Sequence, residues 1–108
     1  MKTSLNEAKR LLTVQLPGDL ISTNAAAVRE NLADIINAST DKLPAWSTLR
    51  LELSGAKMVD SVGLNLVVTL LRAVQKLNGK MQVIYTNPNV LRTFQFTRLD
   101  QHMEMIKL

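Results

Sequence analysis

The chain has no cysteine in its 108 residues, and only one histidine, one tryptophan, one tyrosine and two phenylalanines. Without cysteine there is no disulfide framework, no thiolate metal site and no cysteine nucleophile. Serine hydrolysis of the triad type needs a histidine beside the nucleophile. The sole histidine, His102, stands near the carboxyl end and reads as an exposed polar residue. Aromatics are too few to build a base-stacking platform. The 13 lysines and arginines are scattered, with no run of five or more, so no nucleic-acid arm is expected. A net charge of +4 then reads as a basic surface suited to an acidic protein partner.

Long apolar runs are also missing. None approaches the roughly 20 residues of a spanning helix, and the opening MKTSLNEAKR carries charge without an apolar stretch, so no signal peptide is visible. No direct membrane insertion is expected, and the location implied is cytoplasmic. Neither G-x-x-x-x-G-K-[ST] nor G-x-G-x-x-G occurs, and there are no paired metal ligands. No cofactor is therefore expected. Met58, Met81, Met103 and Met105 read as core filler, and Trp46 as a packing residue at a strand start. There are no internal repeats.

What is present is one domain's worth of alternating strand and helix patterns, spanning 1–108. Residues 1–10 are a polar lead-in with room for a short edge strand. Leu11–Leu16 (LLTVQL) is a strand ended by Pro17–Gly18. An amphipathic helix is predicted over 23–38, capped by Ser22 or Thr23, with Ala25, Val28, Leu32, Ile35 and Ile36 on its apolar side. The turn-rich Asn37–Pro44 follows. Thr48–Leu53 alternates Leu49, Leu51 and Leu53 with Arg50 and Glu52, the pattern of a strand. A second helix is predicted over 62–77, with an Asn78–Gly79 C-cap. Met81–Tyr85 is a further strand, and Asn87–Pro88 opens a third helix with Val90, Leu91 and Phe94 on its apolar side. A closing strand falls in 103–108. This order implies an α/β fold with a mostly parallel sheet and helical crossovers.

The chemistry concentrates where the second strong strand gives way to the second helix, in MVDSVGLN. Sites in such sheets gather at the carboxyl ends of strands. At 100° per residue, Ser61, Asn65, Thr69, Arg72 and Lys76 fall in a strip about 80° wide, and apolar residues fill the rest of the wheel. Ser61 is thus the first rung of the helix's only polar stripe. It can be a helix N-cap, and the same amide groups can cradle a phosphate. Asp60 can orient the Ser61 hydroxyl, accept its proton, or serve as a second cap. Gly63 reads as the position that lets helix and strand approach. A nucleophile elbow would need G-x-S-x-G; VDSVG lacks the first glycine.

The run LRLELSGAKMVDSVGLNLVVTLLRAVQKLNGKMQVI, followed by NPNVLRTFQFTRLD, resembles the STAS domains of bacterial anti-sigma factor antagonists. The resemblance covers about residues 11–106, and D-S-x-G-L at 60–64 is its most specific part. It implies a single STAS domain with a mixed, mostly parallel sheet of four to five strands. It implies a binding protein, not an enzyme. The serine after the aspartate, here Ser61, is the phosphoacceptor in that family, supported by Asp60 and Gly63. Val62, Asn65, Thr69 and Arg72 are the implied partner contacts. Unphosphorylated, such a protein binds an anti-sigma factor that is a GHKL-type serine kinase and frees the sigma factor. Phosphorylation releases it and a PP2C-type phosphatase resets it. The implied assembly state is a monomer or weak dimer, with no nucleic acid bound. Val62 replaces a second hydroxyl common in the family, Arg98 stands where glycine is usual, and the chain stops at Leu108 where many relatives add a helix. The chain also resembles the short STAS subunits of lipid-transporting ABC ATPases. That likeness implies the alternative of a constitutive subunit docking on such an ATPase, without phosphate.

Overall fold

The computed structural model describes residues 1–38 and 44–108; part of the Asn37–Pro44 turn therefore lies outside the described residues. Five strands form one sheet: β1 (Lys2–Asn6), β2 (Leu11–Gln15), β3 (Thr48–Leu53), β4 (Lys80–Tyr85) and β5 (Glu104–Lys107). Spatial order equals chain order, β1-β2-β3-β4-β5. Only β1 runs antiparallel, pairing Lys2 with Gln15 and Asn6 with Leu11, while β2 to β5 are parallel. The polar lead-in thus holds an edge strand, exposed along its length, and Lys2 places a charge on the open edge.

Three parallel connections carry the helices: α1 (Ala25–Asn31) with α2 (Ala33–Ile36), then α3 (Ser61–Lys76), then α4 (Pro88–Phe96). Each steps one strand in the same direction across the sheet. Right-handed crossovers then put every helix on one face. Burial follows that geometry. On β3, Leu49, Leu51 and Leu53 are buried, and Thr48, Arg50 and Glu52 are only partly covered. Val14, Val83, Leu70, Val74, Val90 and Phe94 complete the apolar layer between sheet and helices. The opposite face is mostly polar, with Leu11, Ile84 and Ile106 as its apolar members. Arg50 Nε donates to Gln82 Oε1 at 2.9 Å, and Gln82 Nε2 donates to Glu104 Oε1 at 2.8 Å, linking three strands along one register row.

Several boundaries differ from the sequence expectation. The first helix is two pieces broken at Leu32. Its cap position is Asn24, not Ser22 or Thr23. Asn24 Oδ1 accepts the Ile21 N–H, and its Nδ2 donates to the Asp19 carbonyl, so the asparagine folds the preceding loop. The second helix starts at Ser61 with Asp60 as its N-cap. It ends in a Schellman motif: Gly79 N–H donates to the Val74 carbonyl and Asn78 N–H to that of Gln75. Asn78 takes the left-handed conformation there, φ 60°. Asn87 caps α4 by accepting the Asn89 N–H at 2.9 Å, with Pro88 in the first turn. Arg98, where the family favours glycine, is left-handed with φ 61°, a conformation that costs a residue with a Cβ about 1–2 kcal/mol. Trp46 and Met81 are buried as expected, while Met58 is exposed and is not core filler.

Candidate functional site

Strands β2 and β3 stop pairing where Pro17 and Ser54 turn away, and their extensions meet again at one parallel bridge, Leu20 to Val59. Leu20 N–H donates to the Met58 carbonyl, and Asp60 N–H to the Leu20 carbonyl, both at 3.2 Å. Two aspartates fasten this junction. Asp19 Oδ1 accepts the Lys57 and Met58 N–H groups at 2.6 and 3.2 Å. Asp60 Oδ2 accepts the Ser22 N–H at 2.8 Å, and its Oδ1 accepts the Gly63 N–H at 2.9 Å. The loops entering α1 and α3 therefore form one rigid corner at the carboxyl ends of the central strands.

Asp60 is the pivot. Its Gly63 bond caps α3 and its Ser22 bond crosses to the neighbouring loop. Both stabilise the ionised carboxylate, and its pKa lies below the ordinary value because of the Gly63 N–H first and the Ser22 N–H second. The negative charge also suits the positive end of the helix. These bonds make Asp60 the cap that the sequence left open between Ser61 and Asp60.

Gly63 is buried directly beneath the corner. A Cβ built there would run into the Leu20 carbonyl oxygen and lie 2.9 Å from its carbon. The glycine does permit a close approach, but to the β2–α1 loop, not to a strand. With Asp60 and Gly63 holding its first turn, α3 presents Ser61 and Val62 to solvent; both are exposed, Val62 at 46%. The polar stripe continues outward through exposed Asn65, half-buried Thr69 and exposed Arg72. Thr69 donates its hydroxyl hydrogen to the Asn65 carbonyl at 2.9 Å. At 1.5 Å per residue, Arg72 lies about 16 Å from Ser61.

Between the start of α3 and the flank of α4 runs a groove of about 470 Å³. Ser61, Asp60, Val59 and Leu64 line one side; Arg92, Thr93 and Phe96 line the other. Phe96 is 90% exposed. Sequence reasoning missed Asp19, Ser22, Met58, Arg92 and Phe96. Asp19 accepts backbone N–H groups 38 and 39 residues away, and Ser22 donates its own backbone N–H to Asp60, 38 residues away. Only the N-P-x-V-x-x-x-F spacing, which fixes Phe94 inward, places Phe96 outward. Among the described residues no group of three or more His, Cys, Asp or Glu could hold a metal. No helix there is long and apolar enough to cross a membrane.

A mostly parallel sheet with one antiparallel edge strand, helices on one face and a serine directly after the helix cap at the central crossover define the architecture. Residues 2–107 match the STAS domain family, and the chain belongs to it. The fold is similar to a putative anti-sigma factor antagonist of Thermotoga maritima (TM-score 0.79, 18% identity, covering 99% of this chain and 86% of that one). An anti-sigma factor antagonist from Mycobacterium paratuberculosis is also similar (0.75, 20% identity, 97% and 84%). So is the Bacillus cell fate determinant SpoIIAA in its phosphorylated form (0.67, 19% identity, 99% and 91%). At these identities the likeness is one of fold.

Proposed function

We propose that this STAS domain is a phosphorylation-switched binding protein of the anti-sigma antagonist type, with Ser61 as the phosphoacceptor. The observation that carries the reading is the placement of Ser61: exposed, in the first turn of α3, on a corner clamped by Asp60. A kinase can reach such a hydroxyl without unfolding anything. The likeness to antagonist structures, one of them phosphorylated, supports it.

In the unmodified state the exposed edge of α3, with Val62, Asn65, Thr69 and Arg72, docks on an anti-sigma factor that is a GHKL-type serine kinase. Transfer of a phosphoryl group from ATP to the Ser61 oxygen adds up to two negative charges beside Asp60. The helix amides tolerate that charge, so the fold survives. An acidic partner surface does not, and the complex dissociates. A PP2C-type phosphatase restores the hydroxyl. The protein is then a substrate and a ligand, not a catalyst, acting in the cytoplasm as a monomer or weak dimer.

The test is to purify the protein from its own cells and map phosphate by mass spectrometry, before and after treatment with a PP2C phosphatase. Phosphate on Ser61, removed by the phosphatase and missing in Ser61→Ala, is expected. Label at another residue that persists in Ser61→Ala overturns the switch. An unmodified Ser61 in a constant complex with a Walker-motif ATPase would instead identify a constitutive transporter subunit.

A further inference from the structure

Two of the large exposed hydrophobic side chains, Met1 and Leu5, lie far from the Ser61 corner, at the open β1 edge of the sheet, and each is 41% exposed. Sheet edges are commonly guarded by charge, proline or a bulge. The far edge, β5, has Glu104 and Lys107 among its four residues. β1 has one charge, Lys2, and no proline. Its register with β2 is unbroken, so no bulge turns it away. The free backbone groups of β1 follow from the ladder. The Arg10 carbonyl accepts the Ser47 and Thr48 N–H groups, and the Leu16 N–H donates to the Glu52 carbonyl, so the even positions of β2 face β3. By alternation Leu11, Thr13 and Gln15 face β1, where they oppose Asn6, Ser4 and Lys2. Thr3 and Leu5 therefore keep their N–H and C=O groups turned outward. Their side chains stand on the helix-bearing face, since Thr3 opposes buried Val14 and Leu5 opposes Leu12, which packs on the core. Met1 falls on the same face by alternation.

We propose that β1 is a homodimer seam: it pairs antiparallel with β1 of a second copy about a two-fold axis at Thr3, joining two five-stranded sheets into one. A two-fold normal to the sheet keeps both helix layers on one side. It also sets odd positions against odd, and these carry the free backbone groups. Side chains choose the register. Centring on Lys2 opposes lysine to lysine, which is destabilising. Centring on Ser4 sets Met1 against Glu7 of the second copy, and centring on Leu5 leaves both Met1 side chains uncovered. Centring on Thr3 places each Met1 against Leu5 of the second copy, Thr3 against Thr3, and Lys2 against Ser4. Both exposed apolar side chains are then covered, and threonine pairs are favourable across strands. No like charges stand opposed. An unrelated extended peptide has no such self-match, so the occupant is a second copy. Five residues a side is well short of the roughly 20–30 of a standard interface, so the dimer is weak and reversible. Pairing at β1 does not depend on phosphate at Ser61. The two-fold reverses the strand direction, so the two Ser61 corners point to opposite ends of the dimer and both stay open.

The chain has no cysteine, so a single introduced thiol reports only contacts between copies. Purified Thr3→Cys, Ser4→Cys and Lys76→Cys are treated with oxidised glutathione, and disulfide dimers are followed on non-reducing gels. Opposed residues that exchange hydrogen bonds stand about 5.5 Å apart at Cα, inside the roughly 4.4–6.8 Å window of a disulfide. Diagonal neighbours, such as the two copies of position 4, stand about 7–8 Å apart. Thr3→Cys should therefore dimerise about 10-fold faster than Ser4→Cys or Lys76→Cys, as the one position inside that window. In sedimentation velocity the wild type should self-associate as concentration rises. Leu5→Lys should weaken that association by about 10-fold, the scale of losing an interface anchor. Thr3→Pro removes an N–H that β2 does not use and should do the same, which guards against a misfolded Leu5→Lys. The proposal is overturned by a wild type that stays monomeric, by equal rates at the three cysteine positions, or by Ser4→Cys outrunning Thr3→Cys. It is equally overturned by association that both Leu5→Lys and Thr3→Pro leave unchanged. Oxidation of Thr3→Cys in a lysate of its own cells should again give the homodimer; a disulfide to a different protein in its place overturns the seam and makes β1 a docking strand for that protein.

Discussion

The Asp60 carboxylate accepts the backbone N–H of Ser22 at 2.8 Å across a gap of 38 residues. With its other oxygen it caps the helix that carries Ser61. One side chain thus sets both the start of α3 and its distance from the β2–α1 loop. The serine proposed as phosphoacceptor follows directly on this doubly bonded residue.

That arrangement has a pH signature. The folded-state pKa of Asp60 is lowered, by the Gly63 and Ser22 N–H groups. A carboxyl depressed on folding contributes its stability in full above its unfolded pKa of about 3.9. The contribution is lost as pH falls through the lower folded value. Urea midpoints of the wild type and Asp60→Asn should therefore differ most above about pH 4 and draw together below it. Parallel curves down to pH 2.5 would mean that the two N–H bonds favour the ion no more than water does.

Gly63 and Gly18 make a matched pair. At Gly63 a Cβ meets the Leu20 carbonyl; at Gly18 it meets nothing within 4 Å. Alanine gains about 1 kcal/mol over glycine in a helix interior, but backbone at Leu20 cannot move aside as a side chain can. Gly63→Ala should thus lose about 1–3 kcal/mol net, and Gly18→Ala should be neutral or gain up to about 1 kcal/mol. Thermal denaturation of the two variants checks both signs, and a stabilised Gly63→Ala would show that the loop yields.

The corner also shows what was legible in the chain. The alternation of Leu49, Leu51 and Leu53, and the long apolar arc of α3, declare a strand and a buried helix, because burial on one face leaves a period in the sequence. The polar β1 carries no such period: every residue is exposed, and only its hydrogen bonds to β2 make it a strand. The cap position at Asn24 goes with its side-chain bonds to Ile21 and Asp19 in the loop before it, and since asparagine ranks with serine as a cap, local preference does not choose among Ser22, Thr23 and Asn24. Ser61 stands out as a candidate because a hydroxyl opens the polar stripe of α3. Ser22 and Asp19 do not, since each bonds to residues 38 or 39 positions away; Arg92 meets Ser61 only as a lining residue of the same groove.

Arg92 should report the phosphate directly. Phosphoserine installed at position 61 has its second ionisation near pH 6. Asp60 raises that midpoint and a cation in the same groove lowers it. In ³¹P spectra titrated from pH 4 to 8, Arg92→Gln should move the midpoint upward, on the order of half a unit. An unmoved midpoint would show that Arg92 does not reach the phosphate, leaving the helix amides as its support.

Phe94 and Phe96 separate stability from recognition within one turn of α4. Phe94 is 0% exposed and packs in the common core; Phe96 is 90% exposed on the rim of the groove. Removing a buried ring costs the lost transfer energy plus the cavity, about 3–5 kcal/mol, a large share of the 5–15 kcal/mol by which domains are held folded. Removing an exposed one should stay within about 0.5 kcal/mol. Phe94→Ala is therefore expected to lower the denaturation midpoint severely, and Phe96→Ala to leave it in place while weakening the kinase partner's binding by about 10-fold. The order matters more than either number. Affinity lost in Phe94→Ala alone would trace to unfolding. Affinity lost in Phe96→Ala at unchanged stability can only come from the surface, because no packing inside the protein depends on that ring.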